Sequence, residues 1–358
     1  MAVNQDEKMR PLFGDTSSRV TNRLEKAERL AGFPFKVPSY LPSGVTYVNS
    51  NILNSNESES SENTVMHLFR SENISLTIIG STVERTEESF KVMSDDSSVD
   101  STLSKEQISV KGKSVKVNTR TATFENGTVY KDVVYHWSDE GLYYYIQGVA
   151  PLENKEIVKI VESFQAPNAE LRKTYVNHDF LNSDILDLED LEYFSGMIGF
   201  APAFPLELPR GYKATEAYVN KKLNFSYPEN EEDKHKRTIH ITFENPEKPN
   251  TIVLVAQIKD KSIVENMRKT KKVPFERIDG AKFEVPVTSL NISGQEVFRT
   301  APYKIDDTLS SQKEKDNYTY FWLKEDVCYK VTFKEVEAEV QQQLVAALVK
   351  EKAIDLKK

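Results

Sequence analysis

Gly32-Phe-Pro-Phe-Lys-Val-Pro-Ser-Tyr-Leu-Pro-Ser-Gly44 returns at an offset of 167 as Gly199-Phe-Ala-Pro-Ala-Phe-Pro-Leu-Glu-Leu-Pro-Arg-Gly211. Gly32, Phe33, Pro38 and Leu41 fall on Gly199, Phe200, Pro205 and Leu208, and Pro42-Ser-Gly44 falls on Pro209-Arg-Gly211. Working outward, Val65-Met-His-Leu-Phe69 aligns with Thr238-Ile-His-Ile-Thr242 at offset 173, which places His67 opposite His240. Gly112 and Gly294 follow at 182, and the two tryptophans, in Tyr135-His-Trp137 and Tyr320-Phe-Trp322, at 185. Offsets that climb in order describe small loop insertions in a second copy, so the sequence predicts an internal duplication.

Each copy closes on a helical pattern: Ile157, Ile160, Val161 and Phe164 in the first, and Val340, Leu344, Val345, Leu348 and Val349 in the second. A shorter helix precedes each, capped from Ser17 or Ser18 and carrying Leu24, Ala27 and Leu30, or from Asn182 or Ser183 and carrying Ile185, Leu188 and Leu191. Between them lie short period-two or apolar runs, such as Val65–Phe69, Ile74–Ile79, Val133–Trp137 and Leu142–Val149, and Thr238–Phe243, Ile252–Ile258, Tyr318–Leu323 and Val327–Phe333. Polar connections join them; Asn126-Gly127 signals a hairpin and Ser138-Asp-Glu-Gly141 a somewhat longer turn. The expected class is α+β: two similar domains, each a twisted antiparallel sheet with a C-terminal helix packed on one face and a preceding helix. The expected boundaries are a flexible segment 1–16, a first repeat 17–166, a linker 167–180 and a divergent second repeat 181–358.

Composition narrows the function. The 358 residues hold 47 Lys+Arg against 55 Asp+Glu, a net charge of -8, which disfavours a general nucleic-acid surface. One cysteine, Cys328, rules out an intramolecular disulfide and a thiolate-rich metal site. No run approaches the length of a membrane span, so no integral membrane segment is expected in this sequence. Six Asn-x-Ser/Thr sites, at Asn56, Asn73, Asn126, Asn224, Asn291 and Asn317, matter only in a glycosylating secretory pathway.

Chemistry-bearing motifs are sparse: no glycine-rich phosphate loop, GxSxG elbow or HExxH occurs. The five histidines lack metal-ligand spacing, and the acidic stretch Ser94–Asp100 lacks the glycine and terminal glutamate of a calcium loop. No catalytic residue, metal or cofactor is therefore expected. Along the tryptophan strands Val133, Tyr135 and Trp137 share one face, as do Tyr318, Tyr320 and Trp322, and read as core. The opposite face carries His136, Tyr143 and Tyr145 in the first copy and Phe321, Cys328 and Lys330 in the second. A semi-aromatic second face needs a cover, from the chain itself or from a ligand, so His136, Tyr143 and Tyr145 are candidate binding residues. Lys271 and Lys272, in the basic run Arg268–Lys272, are candidates for contact with an anionic surface.

Pro38-Ser-Tyr-Leu-Pro-Ser-Gly44, Trp137-Ser-Asp-Glu-Gly-Leu-Tyr-Tyr144 and Glu156-Ile-Val-Lys-Ile-Val-Glu-Ser163 resemble the domain-of-unknown-function family numbered 4367. The second copy resembles a divergent member, with Asp326 where the first has Gly141. The resemblance implies extracytoplasmic lipoproteins and anti-sigma-factor ectodomains of Gram-positive bacteria, hence an envelope location with a signal or anchor lying outside this sequence. It implies a non-catalytic binding or scaffold module recognising a protein, peptidoglycan or lipid partner. The alternative it implies is the sensory ectodomain of a membrane-anchored signalling protein. A hydrolase with an unrecognised site would instead require a deep polar pocket with clustered acid and base groups.

Overall fold

The computed structural model describes residues 12–13, 18–54, 63–85, 100–123, 127–149, 152–178, 182–220, 237–276, 282–303 and 318–352. The chain divides into two compact units, Thr16–Phe180 and Leu181–Lys358, with Met1–Asp15 assigned to the second. Of the segment 1–16, expected to be flexible, only Leu12 and Phe13 are described, and the Leu12 amide donates to the Leu186 carbonyl at 2.9 Å.

In chain order the N-terminal unit runs β1 (Ser18–Thr21), α1 (Leu24–Ala31), β2 (Val37–Pro38), β3 (Thr46–Asn54), β4 (Asn63–Arg70) and β5 (Ser75–Ser81). It continues with β6 (Asp100–Val110), β7 (Lys113–Thr123), β8 (Val129–Asp139), β9 (Leu142–Val149), α2 (Asn154–Glu162), β10 (Phe164–Gln165) and α3 (Ala169–Thr174). Eight of these strands form one antiparallel sheet in the order β1-β3-β4-β5-β9-β8-β7-β6, and β2 pairs with β10. The C-terminal unit runs β11 (Asn182–Asp184), α4 (Leu188–Ile198), β12 (Glu207–Leu208), β13 (Tyr212–Asn220), β14 (Thr238–Glu244), β15 (Ile252–Ile258) and α5 (Ser262–Thr270). It closes with β16 (Lys272–Glu276), β17 (Lys282–Ile292), β18 (Gln295–Thr300), β19 (Thr319–Lys324), β20 (Val327–Lys334) and α6 (Ala338–Lys350). Its sheet order, β11-β13-β14-β15-β20-β19-β18-β17-β16, repeats the first with one strand added at the edge. The class is α+β, built on two large antiparallel sheets.

The repeated glycines have a local cause. Gly32 and Gly199 end α1 and α4 in the left-handed region, at φ 71 and 75, where a side chain is disfavoured. Four two-residue turns, at 111–112, 140–141, 293–294 and 325–326, take positive φ at both positions and match the strand twist. The turn at Ser138–Gly141 is thus shorter than the sequence suggests, since Asp139 pairs directly with Leu142.

In the N-terminal unit α1 buries Leu24, Ala27 and Ala31, and α2 buries Ile157, Ile160 and Val161. These residues join Val65, Phe69, Ile78, Trp137, Tyr144 and Ile146 in one core. Trp137 and Tyr144 are cross-strand partners with rings 5.6 Å apart, and Trp322 and Tyr329 repeat the pair at 4.9 Å. Residues 167–180, expected to be a linker, instead contribute to this unit. Asn168 caps α3 by accepting from the Glu170 and Leu171 amides at 3.0 and 2.9 Å. Tyr175 is buried, stacks on Tyr47 at 5.5 Å and donates to the Pro38 carbonyl. A polar-looking stretch is held because one buried aromatic outweighs its composition.

Equivalent strands carry a bulge at equivalent places, at Val48 between Tyr47 and Asn49 and at Thr215 between Ala214 and Glu216, which preserves the offset of 167. Tyr47 then pairs with Phe69, and Ala214 with Phe243, so β4 and β14 correspond at an offset of 174 rather than 173. His67 therefore corresponds to Ile241 and His240 to Met66. The two histidines, equated from the sequence, point to opposite faces, because a one-residue slip reverses every side chain in a strand.

Trp322→Ala is expected to cost the C-terminal unit about 3–5 kcal/mol in denaturant unfolding, since the ring is 1% exposed. Asp326, at φ 64, occupies the turn position that Gly141 fills at φ 81. Asp326→Gly should raise, and Gly141→Asp lower, the stability of its own unit by roughly 0.5–1 kcal/mol, read from paired thermal melts. His67 is buried, and burial holds its pKa down to about 3 against an ordinary 6.5. Between those values the unfolded chain binds a proton that the folded unit refuses, so stability is complete above pH 6.5 and falls as the pH drops. Urea unfolding should lose about 2 kcal/mol of stability between about pH 7 and about pH 5, the slope steepening toward about 1.4 kcal/mol per pH unit below the unfolded pKa, and His67→Leu should flatten it.

Candidate functional site

With the tryptophan face committed to the core, the opposite sheet face is where the units differ. In the C-terminal unit α5 closes it: Ile263, Val264 and Met267 pack with Ile258, Phe298, Phe321, Cys328, Val273 and Phe275 in a second core. Cys328 is fully buried, and burial pushes its thiol well above the ordinary range, so it is no nucleophile. The Lys330 ammonium sits 5.7 Å over the Phe275 ring, and burial lowers its pKa to about 8.

The same face of the N-terminal unit is built otherwise. Ile79, Val134 and Tyr145 are buried, with Met66 and Tyr143 half-buried against them. The His136 ring lies flat on Tyr145, 5.7 Å away and 5° from parallel. The Tyr145 hydroxyl accepts from the Arg85 amide at 2.6 Å, and an Arg85 guanidinium nitrogen donates to Thr64 Oγ1 at 3.1 Å. The chain leaving β5 is thereby strapped over the tyrosine. A turn anchors the strap, with the Ser81 hydroxyl donating to the Val83 carbonyl at 2.8 Å and accepting from the Val83 amide at 3.2 Å.

Beside the strap lies an open pocket of about 620 Å³ lined by Glu84, Arg85, Lys105, Glu106, Gln107, Lys116, Asn118 and His136. Its floor follows the ladder: Gln107, Lys116, His136, Tyr145 and Ile79 are successive cross-strand partners, one row across β6, β7, β8, β9 and β5. Lys116 approaches Glu84 at 3.5 Å, both half exposed, a weak surface pair. Three cations and two carboxylates line the pocket, with amides between them. Such a lining binds and orients a polar ligand.

The five candidates from the sequence do not converge. His136 lines the pocket, Tyr145 lies buried beneath it, and Tyr143 packs against the small cluster outside the lining. Lys271 and Lys272 belong to the other unit. Lys271 is the exposed C-cap of α5 at φ 58, and Lys272 pairs with Glu284 at 2.9 Å. Their neighbour Arg268 is matched by Glu296 at 2.8 Å, so the basic run is partly neutralised within its own unit. Sequence reading missed Arg85, Lys105, Lys116 and Asn118, because only the strap after β5 and the register of β6 and β7 bring them beside His136.

A hydroxyl–imidazole pair does occur elsewhere. Ser50 Oγ lies 2.7 Å from His67 Nδ1 and 2.6 Å from the Tyr47 hydroxyl, but all three residues are buried in the core. A histidine whose pKa is held near 3 is a poor base, and the triplet reads as a buried polar chain in which His67 Nε2 has no hydrogen-bond partner among the described residues. Among the described residues no group of three His, Cys, Asp or Glu is placed to hold a metal, and no helix is long and apolar enough to cross a membrane. The acidic stretch Ser94–Asp100 lies, but for Asp100, outside the described residues.

No curated protein matches the chain. Among solved structures, weak similarity extends to MucB in complex with MucA(peri), at 10% identity and a TM-score of 0.18, covering 89% of this chain and 93% of that one. The Pseudomonas aeruginosa MucA/MucB complex gives 10% identity and a TM-score of 0.18, covering 89% and 95%. The di-domain ARO/CYC StfQ from the steffimycin biosynthetic pathway gives 8% and 0.15, covering 90% and 85%. TM-scores this low transfer neither fold nor ligand. Residues 36–164, which hold the pocket, its row of partners and the Trp137–Tyr144 pair, match the family described as Domain of unknown function (DUF4367).

Proposed function

We propose that this chain is a non-catalytic, extracytoplasmic binding module of the bacterial cell envelope, recognising a protein, wall or lipid component through the N-terminal unit. The observation that carries the reading is the polar pocket built over the Gln107–Lys116–His136–Tyr145 row, on a face that the related sheet closes with an apolar helix. The family of residues 36–164 supports the envelope location through what that resemblance implies. The fates of the nucleophiles favour binding over catalysis. Cys328 and the Ser50–His67 pair are sealed in cores, and none of the described residues that line the pocket is a cysteine or a serine.

Fractionation of the source cells, with mass spectrometry of the native protein in membrane, wall and cytosolic fractions, tests the location. Purified chain should then be retained by an envelope fraction at least fivefold over cytosolic protein. His136→Ala and Lys116→Glu should each reduce retention severalfold without changing the melting temperature. Equal retention by cytosolic material, or retention that both substitutions leave intact, would remove the pocket from the function.

A further inference from the structure

Resting on that reading, we propose that the N-terminal unit binds an extended acidic peptide segment, added as a strand to the outer side of β6, with its carboxylates directed to the cations of the pocket. Three independent observations lead there. First, β6 is the edge strand: among the described residues its only strand partner is β7, and Thr102 to Gln107 are all exposed. Six consecutive exposed residues on a paired strand present a row of backbone donors and acceptors, the template on which peptides add to sheets.

Second, the other unit shows what this edge accepts. β17 stands where β6 stands, joined to the next strand by an equivalent two-residue turn at an offset of 182. There β16 pairs antiparallel with the outer side of β17 over Lys282–Pro286, and a Lys272–Glu284 ion pair of 2.9 Å ties the added strand to its template. The added strand is held by main-chain ladder bonds and by opposite charge across it.

Third, the charge of the neighbouring pocket selects the partner. Side chains alternate along β6, so Leu103, Lys105 and Gln107 share the pocket face. Lys105, Lys116 and Arg85 stand against Glu84 and Glu106 in the pocket lining, three cations to two carboxylates, in a chain whose net charge is -8. Leu103, 45% exposed, adds an apolar contact two residues before Lys105. The segment that fits alternates in the same way, with an acidic residue two positions from an aliphatic one. Local positive potential then supplies the selectivity, and the ladder supplies sequence-independent affinity.

Fluorescence polarisation with the full chain tests this, using labelled nine-residue peptides that alternate Glu and Val with Thr, the same peptide with Gln for Glu, and the acidic peptide N-methylated at alternate residues. The acidic peptide should bind, and the Gln and N-methylated forms should bind at least tenfold more weakly. Lys105→Glu combined with Lys116→Glu should abolish binding at an unchanged far-ultraviolet spectrum. Binding of the acidic and Gln peptides alike, or no binding of any, overturns the proposal, and indifference to N-methylation overturns the strand-addition part. Poly(glycerol phosphate) and vesicles containing an anionic lipid serve as competitors. If either binds through Lys105 and Lys116 while the peptides do not, the pocket keeps its role as a binding site and the peptide is the wrong class. If envelope retention survives the double substitution, the pocket reading itself falls.

Discussion

One cross-strand aromatic pair in each unit sets the rest of the structure. Trp137 faces Tyr144 across the turn at 140–141, and Phe164 closes edge-on against both rings at 4.9 and 5.4 Å. Side chains alternate along a strand, so pinning one pair at a two-residue turn fixes the face of every residue in β8 and β9 and, through the ladder, in the strands beside them. The pair also organises the proline-rich motif. The Tyr144 hydroxyl accepts from the Lys36 amide at 3.0 Å, while in the other unit Gln257 bonds the Ala203 amide and carbonyl at 3.0 and 2.8 Å. One buried backbone need is met by two different side chains, which shows that the constraint belongs to the fold rather than to the residue.

Once the tryptophan face is sealed, divergence falls on the other side of the sheet. Phe321 and Cys328 make that side of the C-terminal unit apolar enough for α5 to cover. His136, Tyr145 and Lys116 make it partly charged in the N-terminal unit. Closing an apolar helix over Lys116 and Glu84 would strip water from two charged groups joined by a 3.5 Å surface pair, an expensive exchange. The same connectivity therefore yields a second core in one unit and a wet, charge-lined pocket in the other.

The elements that were legible in the sequence are those whose burial is one-sided or complete. The strands around Val65, Ile74, Val133 and Val327 carry alternating or continuous apolar residues, and the two long helices carry an apolar stripe. β6 went unread because an exposed edge strand prints little apolar period, and β17 because among its eleven residues only Val285 and Val287 are buried. The linker reading failed on Tyr175, a single residue whose burial no composition average registers. The histidine alignment failed because the repeat His-x-Phe or x-His-Ile looks the same at either register until the Tyr47–Phe69 and Ala214–Phe243 pairs are seen.

The features readable along the chain are local and periodic: the repeated glycine and proline anchors, the turn positions that demand positive φ, the α+β class and the tryptophan faces. These follow from near-neighbour sterics and from the period of burial, both of which are written along the chain. Folding in three dimensions selects which cations share a pocket with His136, sets Tyr145 beneath it rather than in it, and lets α5 turn the equivalent face into core. Those depend on register between strands remote in sequence, and one residue of slip would exchange core for surface.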